Sequence, residues 1–441
     1  MKILRYHRIV KESSWIVLGQ AVSMLGAIVL VKFLTQHLDP VKYGELTLGL
    51  TIGGLVNQII TGGVSASIVR FFSIAFEKQD INNYFRGSVC LMRRALITII
   101  ATSGILIFFL FCVGRSEWIP LVIAILILSI FNGLLSTLSG LQNAARQRRI
   151  VSFHSCIDAW LKILFAGAMI ASFGNNGASV VIGYILSALI VSGSQLLFNL
   201  RLLKIIYKTK VDISMPTNDW FRDMQKFSLP ISSWGIFTWM QQSSDRWALQ
   251  IFSSTDDVGI YSVLFQLGYV PISLAAGLVM NLVAPILYQR VGNATDHSRV
   301  QNVYDVTNKL AILVILLTSI CAAVVSIFHE YLFNVLTNEE YHVYSSLAPM
   351  LVLASGFQAC HHVFGMRISA MLEVRRIVIP QILSAVFFVG LNFLGAYFWG
   401  FKGVVYGFTV SSFFYFAWMF VLSEVIIIKH RNSCDTFGEQ L

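Results

Sequence analysis

Long apolar stretches alternate with short polar connections along almost the whole chain. Each is long enough to cross a bilayer as a helix, which takes about 20 residues. The twelve stretches lie at about 14–36, 44–68, 92–113, 119–141, 155–173, 178–200, 228–252, 258–287, 310–328, 345–366, 378–398 and 403–427. Strands of a transmembrane barrel would alternate apolar and polar residues, so continuous runs favour helices. The sequence therefore predicts an all-α integral membrane protein with twelve transmembrane helices.

Two short motifs recur at nearly half the chain length. YGEL at 43–46 and VGIY at 258–261 align Gly44 with Gly259, and FGNNG and WGFKG align Gly177 with Gly403. Both halves then begin on the same side of the membrane, as in parallel repeats. The pattern predicts two six-helix bundles related by a pseudo-twofold repeat. The predicted domains are 1–215, with the start of a cytoplasmic linker, and 216–441, with a short cytoplasmic tail.

Composition excludes a soluble globular enzyme. The chain is 56% hydrophobic and 12% charged, whereas soluble domains carry about 25% charged residues. Its mean hydropathy of +0.71 also excludes a disordered chain. The six cysteines show no C-x-x-C spacing. We therefore expect no disulfide framework, no metal site and no cofactor.

The chain has a net charge of +10, and most of its basic residues fall on one side of the membrane in the predicted topology. Of 32 basic residues, 26 fall on the side of the N-terminus and three on the other side. The positive-inside rule places that richer side in the cytoplasm, with both termini. This topology explains the charge without nucleic acid as a partner.

Two cations occur at matching depths in the first and seventh apolar runs. Lys32 and Arg246 are nearly related by the repeat offset. Charges inside a membrane are costly and by default mark functional sites. Together the two cations predict one central cavity that attracts an anion. The alternative is snorkelling, in which long side chains reach the membrane surface.

Polar residues surround Arg246 in the segment WMQQSSDRW, 239–247. Gln242 and Arg246 share one helix face, and Gln241 and Asp245 share the adjacent face. Because Asp245 and Arg246 point about 100° apart around the helix, we expect them to have different partners. Arginine suits bidentate recognition of phosphate or carboxylate. The alternative is that this pair holds helices together.

Four further residues are candidates for binding or ion coupling. Asp158 and Lys162, four residues apart, can form an ion pair at the cytoplasmic end or line the cavity. Arg70 could bind an anion, although topology alone also explains it. His361, next to His362, could carry a proton near neutral pH or be a buried core histidine.

Pro271, with Gly268 nearby, predicts a kink and hinge in the eighth helix.

The sequence contains no nucleotide-binding or H-E-x-x-H motif. No extramembrane segment is long enough for a catalytic domain, so we expect neither catalytic residues nor ATP hydrolysis. Active transport would require an ion gradient, of H⁺ or Na⁺, or a downhill substrate.

Several segments together resemble one transporter family. Pro230, Asp245, Arg246, Gly259 and Tyr261 lie in the stretch 228–263, which resembles the seventh-helix signature of polysaccharide flippases. These are Wzx-type O-antigen or lipid-linked oligosaccharide transporters of the multidrug/oligosaccharidyl-lipid/polysaccharide (MOP) superfamily. The N-terminal half is similar through the following residues: Gln20, Leu38, Tyr43, Gly44 and Arg70.

The resemblance implies a flippase of the bacterial inner membrane. It would carry an undecaprenyl-diphosphate-linked oligosaccharide, such as an O-antigen repeat unit for lipopolysaccharide, from the cytoplasmic to the periplasmic leaflet by alternating access. Other polysaccharide assembly proteins are possible partners. Gln20, Gln241 and Gln242 become candidate cavity residues.

An ion-coupled multidrug or metabolite antiporter of similar fold is the alternative. The first apolar run lacks the Asp or Glu that such exporters often have. A membrane-embedded glycan polymerase is a third class, but the longest outer loop, 329–344, is a poor catalytic candidate.

Overall fold

The computed structural model describes residues 2–145, 147–207, 219–291 and 297–438, and over these ranges the chain is helical and contains no strand. The chain divides into two compact units. Unit 1 comprises Met1–Leu38 and Glu45–Trp239, and unit 2 comprises Asp39–Gly44 and Met240–Leu441.

The helices that lie wholly or mainly in unit 1 follow one another with short connections. They are α1 (Lys2–His37), α2 (Pro40–Val56), a π-helical turn (Asn57–Gly62), α3 (Gly63–Glu77), α4 (Ile81–Cys112), α5 (Ile119–Ala144), α6 (Arg148–Phe173) and α7 (Gly177–Tyr207). A 3₁₀ turn, Ser116–Trp118, leads into α5. The π turn continues α2 directly into α3, so that Pro40–Glu77 is one long apolar span.

Helix α8 (Trp220–Phe252) is divided between the units after Trp239, and unit 2 contains the later helices. They are α9 (Thr255–Gly268), α10 (Val270–Val291), α11 (His297–Leu336), α12 (Ala348–Ala370) and α13 (Val378–Gly438). Three 3₁₀ turns, Glu339–Tyr341, Ser345–Leu347 and Val374–Ile377, flank α12. The helical path of α13 is interrupted at Gly400, which separates two helices.

The predicted helix count is recovered from these bounds. Nine helices of the described chain are long and apolar enough to cross a membrane, or ten if the bent pair α9–α10 is one span. The polar residues of α8 keep it out of that count, and α13 is counted once although it contains two helices. Adding α8 and the second helix of α13 to the ten spans gives the twelve predicted helices. The all-α membrane fold is therefore confirmed.

Small residues bring the helices of unit 1 close together. Gly26 of α1 faces Ala159 of α6, and Gly183 of α7 lies against the backbone of Ala166 in α6. A Cβ atom at Gly183 would stand 2.5 Å from the Ala166 nitrogen. In a bilayer, where lipid is as apolar as leucine, close packing of small residues is a main source of helix association.

The first part of α8 is held in unit 1 by two tryptophans. The Trp220 indole is buried and donates to Asp80 Oδ2 at 2.7 Å. The Trp239 indole donates to the Thr51 carbonyl, also at 2.7 Å. The predicted boundary between 215 and 216 lies outside the described residues, so it stays a prediction. Among those residues, the assignment to units changes between Trp239 and Met240.

The motif repeat corresponds to a reciprocal contact within unit 2. Gly44 faces the Thr255 carbonyl, and Gly259 faces the Pro40 carbonyl. These pairs differ by the same offset of 215 residues that the sequence repeat shows. The start of α2 and the start of α9 therefore cross with their backbones almost touching.

Both crossing helices begin with a side-chain cap. Asp39 Oδ1 accepts from the Lys42 N–H at 2.8 Å, and Ser254 Oγ accepts from the Asp257 N–H at 3.1 Å. Such caps satisfy amide groups that the helix leaves open. Partial burial would raise the pKa of Asp39, but hydrogen bonds from the Lys42 backbone and ammonium group lower it below its usual value.

Replacing Gly259 with alanine should destabilise the protein. An added Cβ would lie 1.9 Å from the Pro40 carbonyl oxygen, and a backbone atom cannot move aside as a flexible side chain can. We expect a loss of about 1–3 kcal/mol, as for overpacked cores. Thermal unfolding of the purified protein in detergent measures the loss. Gly193→Ala is the matched control, since no atom lies within 4 Å of its added Cβ. Equal unfolding temperatures for the two variants would contradict the close crossing.

The second pair of motifs also has a shared geometry. Gly174 and Gly400, the first glycines of FGNNG and WGFKG, have φ values of +91° and +55°. Residues other than glycine rarely adopt a positive φ. Each glycine ends one helix and turns the chain toward the next, which begins at or close to Gly177 or Gly403.

Candidate substrate and ion site

Asp245 and Arg246 of α8 form one cluster with Tyr261 of α9. Asp245 is fully buried, and its Oδ2 accepts a hydrogen bond from the Tyr261 hydroxyl at 2.8 Å. Its Oδ1 accepts from the Arg246 backbone N–H at 2.7 Å and from Arg246 Nη1 at 3.2 Å. Buried charges are tolerated when they are paired and hydrogen-bonded in this way.

The Arg246 guanidinium is fixed by hydrogen bonds, but not all of its N–H groups are used. Its side chain is 12% exposed, and Nη1 also donates to the Gln242 carbonyl at 2.9 Å. The group lies 4.6 Å from the ring centre of Phe265, which favours a cation. Nε and Nη2 donate to no residue in the described part of the chain. Arg246 therefore retains donors for an anionic ligand.

The expectation that Asp245 and Arg246 have different partners is wrong, because they pair with each other. Angular separation around the helix describes the Cβ directions only. The long arginine side chain turns back toward the preceding turn, as helical side chains do, and reaches both the neighbouring carboxylate and the Gln242 carbonyl. The predicted proximity of Gln242 and Arg246 on one face is present.

A second polar cluster joins α8 to α13 through uncharged groups. Gln241 Nε2 donates to Ser384 Oγ at 2.5 Å, and Gln381 Nε2 donates to Gln241 Oε1 at 3.0 Å. The Tyr415 hydroxyl donates to Gln381 Oε1 at 2.5 Å. One turn further along α8, Ser244 accepts from Asn392. The sequence predictions do not include these α13 residues as site residues, because they are uncharged. Gln381 and Asn392 are nevertheless visible as polar residues inside apolar runs.

His361 faces a cavity next to this cluster. The cavity has a volume of about 450 Å³ and is also lined by His362, Gln381 and Tyr415. The ring centres of His361 and Tyr415 are 4.4 Å apart. Nδ1 of His361 is buried and makes no hydrogen bond to any residue that the structure describes. His361 thus lies at a cavity wall, while its role in ion coupling stays a prediction.

In unit 1, the predicted ion pair on α6 is present. Lys162 Nζ donates to Asp158 Oδ2 at 2.6 Å, and Ser187 of α7 donates to Asp158 Oδ1 at 2.9 Å. Both charged side chains are half-buried. The two charges thus pair with each other, and a role of this pair in lining the cavity stays a prediction.

The remaining unit 1 candidates lie on α1 and α3. Lys32 is exposed on α1, and its ammonium has no ion-pair partner among the described residues. Gln20 is half-buried on the same helix, and Arg70 is exposed on α3. Lys32 and Arg246 belong to different units, and their sharing of one cavity stays a prediction.

The eighth predicted helix is broken where Pro271 was expected to bend it. Helix α9 ends at Gly268 and α10 begins at Val270, with a bend of 41°. Proline lacks the N–H that would continue the backbone ladder. The Tyr269 carbonyl at the break accepts from the Ser355 hydroxyl of α12 at 3.0 Å. The hinge role of Pro271 and Gly268 stays a prediction.

Arg367 lies one residue beyond the predicted span 345–366, yet it is fully buried at the end of α12. Nε donates to Thr307 Oγ1 at 2.8 Å, and Nη1 donates to Glu424 Oε1 at 2.7 Å. Further bonds reach Ser423 and Asn308. The helix continues four residues beyond the predicted span end, which carries Arg367 into the interior. Its bonds to α11 and α13 tie three helices together.

Among the residues that the structure describes, no three His, Cys, Asp or Glu side chains group into a metal site.

The fold and the buried charges define a multi-pass membrane protein with polar sites inside its helical units. The family described as "Polysaccharide biosynthesis protein" matches residues 9–290. The chain belongs to this family, and the resemblance read from the sequence is confirmed. None of the curated proteins compared matches the chain.

Solved structures agree on the fold. A multidrug resistance MATE family transporter of the MOP superfamily in an inward-facing conformation has a TM-score of 0.67 and 15% identity, covering 94% of this chain and 96% of its own. The lipid II flippase MurJ in an inward closed conformation has a TM-score of 0.71 and 12% identity, covering 96% of this chain and 90% of its own. The chain therefore shares the fold of these two transporters.

Proposed function

We propose that the protein is a flippase for a lipid-linked oligosaccharide. Its substrate is an undecaprenyl-diphosphate-linked glycan, an O-antigen-like repeat unit, which it moves from the cytoplasmic to the periplasmic leaflet by alternating access. It works in the bacterial inner membrane with both termini in the cytoplasm, as the basic residues indicate. It performs no catalysis.

The observation that carries this proposal is the state of Arg246. A guanidinium that is nearly buried, held by Asp245 and still offering Nε and Nη2 is suited to a diphosphate, which arginine binds in a bidentate way. Membership of a polysaccharide biosynthesis family supplies the matching substrate class. Lys32, Lys162 and Arg70 are further proposed cations for the same substrate.

Ion coupling is proposed at the acidic groups beside these cations. Asp245 is the proposed coupling group in unit 2, because its carboxylate is bonded directly to Arg246 Nη1. Asp158 stands in the same relation to Lys162. The coupling ion is H⁺ or Na⁺, and Pro271 with Gly268 forms the hinge.

An ion-coupled multidrug or metabolite antiporter is the second candidate, favoured by the structural similarity to MATE transporters. Deletion of the gene separates the two. Loss of surface polysaccharide, with lipid-linked oligosaccharide accumulating in the membrane, supports the flippase. Drug sensitivity with intact surface polysaccharide would contradict it and support the antiporter.

A further inference from the structure

Unit 2 contains a cavity that lies outside the Asp245–Arg246 cluster. It opens between α10, α12 and α13, and its volume of about 450 Å³ is within the range of about 300–1,000 Å³ that small-molecule pockets have. Gly277 of α10 borders it, with no atom within 4 Å of the place where a Cβ would stand. The cavity is large enough for one part of an oligosaccharide.

The chemistry of the cavity wall is polar but uncharged. No Asp, Glu, Lys or Arg is among its described lining residues, and its polar groups come from Tyr288, His361, His362, Ser369, Gln381 and Tyr415. Methionines, including Met366, supply adaptable apolar surface. A diphosphate would find no cation here. A neutral, hydroxyl-rich ligand would find hydrogen-bonding groups and aromatic faces.

Two of these side chains are fixed in place. The Tyr415 hydroxyl donates to Gln381 Oε1, and Gln381 in turn donates to Gln241. This chain of bonds fixes the Tyr415 and Gln381 side chains at the cavity wall. A pre-organised wall of this kind lowers the entropy lost on binding.

His361 is the least satisfied group of the wall. It is 7% exposed, its ring centre lies 3.9 Å from that of His362, and its Nδ1 makes no hydrogen bond within the described chain. Buried polar atoms are nearly always hydrogen-bonded, and an unmet one costs free energy. A ligand hydroxyl in the cavity would give this imidazole a partner.

We propose that this cavity is a subsite for a neutral sugar of the substrate glycan, with His361, Gln381 and Tyr415 as its hydrogen-bonding groups. The inference rests on the proposed function and adds the place where the glycan is recognised. Recognition is then divided between Arg246, which binds the diphosphate, and the His361 cavity, which binds sugar.

Binding of two lipids to the purified protein tests this division. The probes are the lipid-linked oligosaccharide extracted from the host's own membranes and undecaprenyl diphosphate, which has no sugar. His361→Leu should weaken binding of the first lipid about tenfold, the effect of a lost buried hydrogen bond, and leave binding of the second unchanged. His361→Gln, which retains hydrogen-bonding atoms, should lose less. The exposed His37 provides the control, His37→Leu.

The possible results separate the inference from the function. Equal weakening of both lipids by His361→Leu, or no weakening of either, would overturn the sugar subsite while the flippase proposal stands. A loss in His361→Gln as large as in His361→Leu would also overturn it, because that pattern points to titration instead of hydrogen bonding. If the unaltered protein binds neither lipid, the flippase proposal fails and the subsite fails with it.

Discussion

Arg246→Ala should reduce surface polysaccharide about tenfold or more, whereas Arg246→Lys should retain a larger share. A charge-assisted hydrogen bond to an anion contributes about 1.5–3 kcal/mol, which corresponds to a tenfold effect or greater. Lysine keeps the positive charge but loses the planar fork, and we expect the charge to matter more. Cell-surface polysaccharide is compared at matched levels of protein in the membrane.

Arg115→Ala is the matched control for this experiment. Arg115 is exposed and faces Glu117 at 3.6 Å, a surface pair of the kind that contributes little. The control should display polysaccharide normally. Normal display by Arg246→Ala at matched protein levels would refute a role for Arg246 in substrate binding. Protein levels must be matched because Arg246→Ala removes a partner of the buried Asp245, which lowers the stability of the protein and so its amount in the membrane.

Arg367→Ala should lower the free energy of unfolding by about 3–5 kcal/mol, the range for breaking a buried ion pair on one side. Glu424 would lose its cation, and Thr307 and Ser423 would lose the donor that joins α11 to α13. Thermal unfolding in detergent provides the measurement. The exposed Arg375 on the following 3₁₀ turn gives the control Arg375→Ala.

A double variant tests whether the unpaired charge of Glu424 causes the loss of stability in Arg367→Ala. Replacing both partners with apolar residues, Arg367→Met with Glu424→Leu, should recover much of the loss, because no uncompensated charge remains. An unchanged unfolding temperature in Arg367→Ala would contradict a structural role. Failure of the double variant to recover would assign the stability to the bonds with Thr307 and Asn308 instead.

The helices could be predicted because the membrane imposes a simple rule on the sequence. Every span must be about 20 apolar residues long, so each of the twelve runs is visible without knowledge of tertiary contacts. The repeat could also be predicted, since glycines at a close crossing or a positive φ cannot be replaced freely. Gly44 and Gly259 meet for the first reason, and Gly174 and Gly400 adopt their φ values for the second.

The partners of polar residues could not be predicted in the same way. The pairing of Asp245 with Arg246 depends on how a flexible side chain turns, which helix periodicity does not specify. Burial of Arg367 depends on four additional residues of helix α12 and on acceptors from two distant helices. Gln241 is a sequence candidate, but its partners Gln381 and Tyr415 carry no charge and lie far along the chain, so the sequence does not connect them to it.

Transfer of lipid-linked oligosaccharide between leaflets is the measurement that tests flippase activity most directly. Purified protein is reconstituted into vesicles, the host's lipid-linked oligosaccharide is added to the outer leaflet, and an impermeant glycosidase reports how much glycan remains outside. With an imposed H⁺ or Na⁺ gradient, we expect the protected fraction to rise with the unaltered protein and to stay near the protein-free level with Arg246→Ala. No rise with the unaltered protein under either gradient, while the same vesicles exchange a cationic drug, would contradict the flippase function.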